Sequence, residues 1–248
     1  MIIIFHQETN LMSTAIKLLQ NKSKVPSEFD SIARRYDIAT WFSNGYMEDL
    51  NISASRIPLK GNEILLDLCC GTGKSTLACL NALTNGTITG VDNSFEMLEV
   101  AKQKIQNSNV NFLQADAMQL CFEPDTFDVI FMAYGIRNMP DYEKCLAGLN
   151  RILKPGGIIC FHEYVLNEAW WAKVYWAILG YGFIIPFCTL LTGNFTIFNY
   201  LIKSVLKFPS PSNFQKMLTN TGFDQIKITP LKGWRGPILK TVMAQKAK

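Results

Sequence analysis

The 248-residue chain lacks an excess of charge of either sign: 24 Lys and Arg face 20 Asp and Glu, a balance of +4. So small a surplus gives no electrostatic footprint for nucleic acid, and none is expected as a partner. The chain also lacks any C-x-x-C pair. Its seven cysteines include the adjacent Cys69 and Cys70, a spacing that suits neither a zinc site nor an ordinary disulfide. Most stand in apolar runs and read as small packing residues of a reducing compartment, with no metal expected. Two phosphate-binding patterns are missing as well. G-x-G-x-x-G fails because position 76 is Thr and the first glycine site holds Cys69. G-x-x-x-x-G-K-[ST] is absent, although Lys74-Ser75 follows Gly73. The apolar start at residues 1–5 has no basic region before it, so no signal peptide is read there. A mitochondrial presequence stays open, since Lys17, Lys22 and Lys24 are spaced along a polar segment, although no arginine precedes Arg34 and Glu8 is present.

What the chain does have is Ile64-Leu65-Leu66-Asp67-Leu68-Cys69-Cys70-Gly71-Thr72-Gly73, an apolar run, an acid and a small-residue turn. The run is apolar on both faces, as a central parallel strand should be. The glycines allow a sharp turn and close approach to a ligand. Asp92 follows Gly71 by 21 residues, at the end of a second strand-like run over 87–91. A glycine turn after the first strand, with an acid about 20 residues on, is the nucleoside-binding arrangement of doubly wound folds. Asp67 inside the turn would repel a phosphate and suits a cationic amino acid. The stretch therefore resembles the first motif of class I S-adenosylmethionine (SAM) methyltransferases.

Further strands are expected over 110–115, 127–133, 158–163, 225–231 and 238–245, the last two as an antiparallel pair. Helices are expected around 13–20, from Phe29 to Asp37, from Ser75, from an N-cap at Ser94, from Asp141 to a stop at Lys154-Pro155-Gly156-Gly157, and over 211–222. Asp116 and Ala117 follow the third strand and Tyr134 the fourth. Strand ends of this kind line the ligand crevice of an open parallel sheet. The whole predicts an α/β doubly wound, seven-stranded, mostly parallel sheet with an apolar helical lid. Residues 1–55 read as an arm with lid helices and 56–248 as the main domain, with an apolar helical insertion at 167–208.

That insertion contains 29 consecutive uncharged residues, 174–202. Length alone would permit a transmembrane helix. Gly180, Gly182, Pro186, Gly193 and Asn194 interrupt the run, so two lid helices around an apolar cavity are the favoured reading. Residues 170–202 are expected to touch a bilayer surface peripherally, with Trp170, Trp171 and Trp176 at the lid or the interface.

Two segments narrow the resemblance. Phe29-Asp30-Ser31-Ile32-Ala33-Arg34-Arg35-Tyr36-Asp37 resembles the entry signature of the C-methyltransferases of ubiquinone and menaquinone biosynthesis. Tyr134-Gly135-Ile136-Arg137-Asn138 is similar to their second signature, and Tyr200-Leu201 with Phe208-Pro209 matches a third more loosely. The resemblance implies SAM as cofactor, held by Tyr36, Asp67, Cys69, Gly71, Gly73, Asp92, Asn93, Asp116, Ala117 and Tyr134. It implies methyl transfer to a hydrophobic small molecule, foremost a ring carbon of a polyprenylated hydroquinone, with Arg137 and Asn138 as catalytic residues. His162 is a second candidate base, although a lone histidine at a strand end is more often structural. The sequence departs from the family at Lys74, at Ile202-Lys203 and at Lys240-Thr241, which keeps a sterol, phospholipid amine or polyketide acceptor open. A non-catalytic SAM-binding subunit of a biosynthetic complex is the alternative from another class. A cytoplasmic enzyme, peripheral at a membrane and able to form a homodimer or a complex, completes the expectation.

Overall fold

A computed structural model describes residues 16–42 and 45–248 of the chain. The apolar start and the first part of the helix expected at 13–20 lie outside them; residues 16–20 are helical. Two helices come first, α1 (Val25–Phe42) and α2 (Tyr46–Ser55). An alternating series follows: β1 (Ile64–Leu68), α3 (Lys74–Ala82), β2 (Thr87–Asp92), α4 (Phe95–Lys104), β3 (Val110–Gln114), β4 (Phe127–Ala133), α5 (Tyr142–Ile152) and β5 (Leu153–Tyr164). The lid is α6 (Trp170–Leu179), α7 (Ile185–Thr192) and α8 (Phe195–Lys207). The chain closes with α9 (Pro211–Asn220), β6 (Phe223–Pro230) and β7 (Leu239–Lys246).

The strands form one seven-stranded sheet in the order β3-β2-β1-β4-β5-β7-β6. Pairing is parallel except at β7, which is antiparallel to both neighbours. The fold is thus the doubly wound one that the alternation predicts. Its centre is apolar on both faces, as a covered parallel sheet requires: Leu65, Leu66 and Leu68 of β1 and Ile130, Phe131 and Met132 of β4 are fully buried. Ile64 departs from the expectation and is exposed, because it stands at the bottom edge where the strand begins. Ser94 caps α4 by accepting from the Met97 N–H, and Asp141 caps α5 by accepting from the Lys144 N–H.

Two local expectations are corrected. Lys154-Pro155-Gly156-Gly157 does not close α5; the helix ends at Ile152 and these residues already belong to β5. They fill an irregularity in which Phe127 pairs with Leu153 and Val129 with Ile158, and Lys154 Nζ fastens it to Asp128 at 2.7 Å. In the lid, Gly180, Gly182 and Pro186 do not break the helix. Residues Trp170–Thr192 run as one 23-residue helix through a π-turn at Gly180–Ile184. A Cβ on Gly180 would lie 2.5 Å from Ile202 Cδ1, so this glycine serves close approach to α8. Pro186 stands in the first turn of α7, where the π-turn has already changed the hydrogen-bond spacing. By length and composition alone this helix is able to cross a bilayer. Gly193, with φ +78°, ends it, and Asn194 caps α8.

Candidate active site

At the carboxyl ends of β1, β2 and β4 lies a cavity of about 200 Å³, the position where open α/β sheets bind ligands. Cys69, Gly71, Asp92, Asn93, Asp116, Ala117, Tyr134, Tyr36 and Asn138 all line it. Asp92 is pinned by two backbone donors, Gly71 N–H at 2.8 Å and Ser94 N–H at 2.9 Å. Each carboxylate oxygen keeps a further acceptor site. Burial pushes the Asp92 carboxyl up, against the pull of those backbone amides. A Cβ built on Gly71 would meet nothing within 4 Å, so the turn borders open space that a ligand can fill.

Asp67 and Gly73 lie behind the cavity wall. Asp67 is fully buried, and its Oδ2 accepts from Ser75 Oγ at 2.8 Å and Thr76 Oγ1 at 2.6 Å. Its Oδ1 has no partner among the described residues. Burial raises this carboxyl to about 7. An orphaned acceptor beneath the turn fits a cationic ligand group reaching it. Gly73 turns toward Ala101 of α4 and Ile105 just after it. Lys74, the departure from the family pattern, ties the turn to α1 and α2: its Nζ reaches Thr40 Oγ1 at 2.6 Å and sits over the Tyr46 ring. Asp37 pairs with Lys74 and Lys104 and accepts from Thr72 Oγ1 at 2.7 Å.

A second cavity of about 560 Å³ adjoins the first. Its walls come from α1, α6, α7, α8 and the segment before β7, and they are mainly aromatic and aliphatic. Phe29, Tyr36, Tyr46 and Tyr134 line both cavities and form the wall between them. Tyr134 is stacked on Tyr46 at 5.5 Å and packs edge-on against His162 at 4.8 Å. Its backbone has φ +56°, and Cys69 has φ +60°. Left-handed conformations cost a non-glycine residue of order 1–3 kcal/mol, and such strain gathers at functional sites.

Arg137 lines the larger cavity and is buried. Its Nη1 meets Glu163 Oε1 at 2.6 Å, and its Nε donates to Ser204 Oγ at 2.9 Å. The Glu163 carboxylate holds the guanidinium charged, against burial. Asn138 is fixed by two bonds: Tyr200 Oη donates to its Oδ1 at 3.1 Å, and its Nδ2 donates to the Tyr134 carbonyl at 3.3 Å. Lys22 closes over this loop, donating to the carbonyls of Arg137 and Met139 at 2.9 and 2.8 Å. Burial lowers its pKa to about 8. His162 does not line either cavity. It is fully buried, and burial lowers its pKa to about 3, so the ring is neutral and is not an exposed base.

Sequence reasoning missed Tyr46, Glu163 and Lys22. The first was within reach, because Leu50, Ser53, Ala54 and Ile57 follow Tyr46 at helical spacing and all four are buried. Glu163 and Lys22 carried no local signal.

The strand order, the cavity at the sheet's carboxyl edge and the lid are those of class I SAM-dependent methyltransferases, and SAM is the cofactor. Residues 17–235 match the ubiE/COQ5 methyltransferase family, and the chain belongs to it. The demethylmenaquinone methyltransferase of Staphylococcus aureus is 32% identical over 226 residues, covering 86% of this chain and 90% of its own. Among solved structures, phosphoethanolamine N-methyltransferase 2 of Haemonchus contortus, bound to S-adenosylhomocysteine, has a TM-score of 0.60 at 17% identity. That match covers 81% of this chain and 53% of the other. The [4+2]-cyclase SpnF has a TM-score of 0.67 at 17% identity, covering 90% and 95%. A cyclase among the neighbours makes plain that these two share the fold alone.

Proposed function

We propose that the enzyme methylates a ring carbon of a polyprenylated hydroquinone. The observation that carries this reading is the pair of adjoining cavities, one at the sheet edge that includes Asp92 and Asp116 and a larger, more apolar one under the lid, with Phe29, Tyr36, Tyr46 and Tyr134 lining both. The likeness to the demethylmenaquinone methyltransferase of Staphylococcus aureus supports it.

The residues present fit SAM. Asp92 would hold the ribose hydroxyls, Asp116 and Ala117 the adenine, and Asp67 with the Gly71 turn the amino-acid end. When bound, the cofactor supplies an electrophilic methyl on a sulfonium. The enzyme's own work is to hold the acceptor and exclude water. Trp176 seals the lid from within, fully buried and donating from Nε1 to the Ile202 carbonyl at 3.1 Å. Arg137 and Asn138 are the catalytic residues of this reading. A charged Arg137 beside the acceptor lowers the cost of ionising a phenol whose ordinary pKa is about 10. Ionisation makes the neighbouring ring carbon nucleophilic.

Entry of a long-tailed acceptor fits the outside of the lid. Trp170, Ile178, Phe183 and Leu190 are all strongly exposed on one helix. A surface of that kind suits peripheral contact with a bilayer. The division into an arm at 1–55 and a domain at 56–248 with the insertion 167–208 belongs to the same reading.

The test is methyl transfer from labelled SAM into reduced demethylated quinones, with the product identified by mass. A methylated quinone ring is expected. Label confined to another lipid overturns the acceptor and leaves the reaction class standing.

A further inference from the structure

Behind the wall residue Tyr134 runs a line of polar groups that no step above uses. Arg56 Nη1 donates to Thr241 Oγ1 at 2.6 Å. Thr241 Oγ1 lies 2.7 Å from Ser53 Oγ, which lies 2.7 Å from His162 Nδ1. His162 Nε2 lies 2.8 Å from Tyr134 Oη. Ser53, His162 and Thr241 are fully buried. Arg56 is held in place from β6, whose Thr229 and Pro230 carbonyls accept from it at 3.1 Å each.

Hydrogens can be distributed along this line in two ways. Arginine only donates, a hydroxyl has one hydrogen, and a neutral imidazole has one N–H. In the first arrangement Thr241 donates to Ser53, Ser53 donates to His162 Nδ1, and His162 Nε2–H donates to the Tyr134 oxygen. Every hydrogen of Thr241, Ser53 and His162 then has an acceptor, and the one left over is that of Tyr134, whose ring borders both cavities. In the second, Tyr134 donates to His162, and Nδ1–H and Ser53 pass the direction on to Thr241. The Thr241 oxygen would take hydrogens from both Ser53 and Arg56, and its own hydrogen would have no acceptor among the described residues. Leaving a buried donor unpaired disfavours that arrangement, on the order of tenfold or more. The cation at the end of the line adds to the bias, since an oxygen that accepts from a guanidinium donates more strongly.

In the favoured arrangement the Tyr134 oxygen is already an acceptor, and its hydrogen has no partner among the described residues. The ring borders both cavities and is locked by Tyr46, Tyr164 and its own left-handed backbone. We infer that Tyr134 donates its phenolic hydrogen to the acceptor's ring oxygen, and that Arg56, acting through Thr241, Ser53 and His162, fixes the direction of that donation. The inference rests on the hydroquinone reading above. It adds a second oxygen anchor at the wall between the cavities, so that the carbon beside the anchored oxygen is the one presented to the cofactor side. The bond strengthens as that oxygen gains negative charge. The low pKa of His162 agrees with a ring that stays neutral throughout. Tyr134 touches the acceptor in this scheme; His162, Ser53, Thr241 and Arg56 are positioning residues.

The test reads the hydrogen directly. The chain has two histidines, so imidazole 15N spectra of histidine-labelled enzyme give two pairs of ring resonances, and His162→Gln assigns them. A neutral His162 with its hydrogen on Nε2 is expected in the enzyme without acceptor. Thr241→Val should raise the share carrying it on Nδ1. Tyr134→Phe keeps the ring, and at saturating SAM should lower kcat/KM for the reduced quinone about 10–100-fold. Hydrogen on Nδ1 in the unaltered enzyme overturns the proposal, and so does an unchanged kcat/KM in Tyr134→Phe. Failure of the unaltered enzyme to methylate any reduced quinone overturns the acceptor reading instead. The two failures are distinct, because the tautomer is read with no acceptor present.

Discussion

Arg137 and Glu163 form a buried ion pair whose two halves should fail differently. Their side chains are 4% and 0% exposed, and Glu163 Oε2 has no partner among the described residues. Glu163→Leu leaves a guanidinium in an apolar surround. It has no way to shed its proton, so the cost should be about 3–5 kcal/mol at any pH from 5 to 8. For an enzyme of this size that is roughly 6–20 °C in Tm. Arg137→Leu leaves a carboxylate, which escapes by taking a proton. Against an unfolded-state pKa of about 4.3, holding it protonated costs about 4 kcal/mol at pH 7 and only about 1 kcal/mol at pH 5. The sign follows: the folded-state pKa of the stranded Glu163 lies above the unfolded value. The unfolded chain releases its proton first, and the variant loses stability as pH rises between the two. The double variant Arg137→Leu/Glu163→Leu should return close to the unaltered enzyme, since an apolar pair of similar volume often replaces a buried ion pair at little cost. Urea unfolding of all four proteins at pH 5 and pH 7 measures this. Equal losses for Arg137→Leu at the two pH values would refute the reasoning, and so would a double variant as unstable as Glu163→Leu.

Three further outcomes are expected. Asp92→Ala removes a carboxylate that anchors the glycine turn and lines the sheet-edge cavity, and should weaken SAM binding about 10–100-fold by calorimetry. Gly180→Ala places a methyl against Ile202, which must move or push α6 from α8; a loss of about 1–3 kcal/mol in thermal unfolding is expected. Raising the pH should destabilise the fold through its thiols. All seven cysteines are free, and burial raises Cys69, Cys70, Cys79 and Cys160 strongly, Cys145 to about 12 and Cys188 to about 11. Unfolded thiols ionise from about pH 8.5 while folded ones stay protonated, so stability falls with rising pH. Each fully buried thiol contributes up to about 1.4 kcal/mol per pH unit. A Cys79→Ala/Cys160→Ala variant should show a visibly shallower alkaline loss in urea titrations than the unaltered enzyme.

How much of this was readable in the chain depended on distance along it. The glycine turn and Asp92 are local signals joined by one strand–helix–strand unit, and both line the cavity at the sheet edge. The alternating pattern carried the sheet. The lid was legible in composition but not in shape: Gly180 serves a contact with Ile202, on a helix that begins after the next turn, and no local rule separates that use from a helix break. Arg137 was legible as a strand-end cation. Its pairing with Glu163 depends on β4 and β5 lying side by side. His162 is the sharpest case. As a letter it is a candidate base, yet cross-strand pairing with Thr241 and the packing of Ser53 on α2 put it out of reach of solvent.

The wall of Phe29, Tyr36, Tyr46 and Tyr134 makes the two cavities one thermodynamic object. Whatever ordering of these rings one ligand imposes is already in place when the other arrives. Linkage requires the benefit to be reciprocal: if a ligand in the sheet-edge cavity tightens the hold on one in the larger cavity by some factor, the second tightens the hold on the first by the same factor. Order of arrival then has no effect on the affinity of the ternary complex. Departure carries the same coupling. The first product to leave withdraws that support, and the second leaves from a looser site.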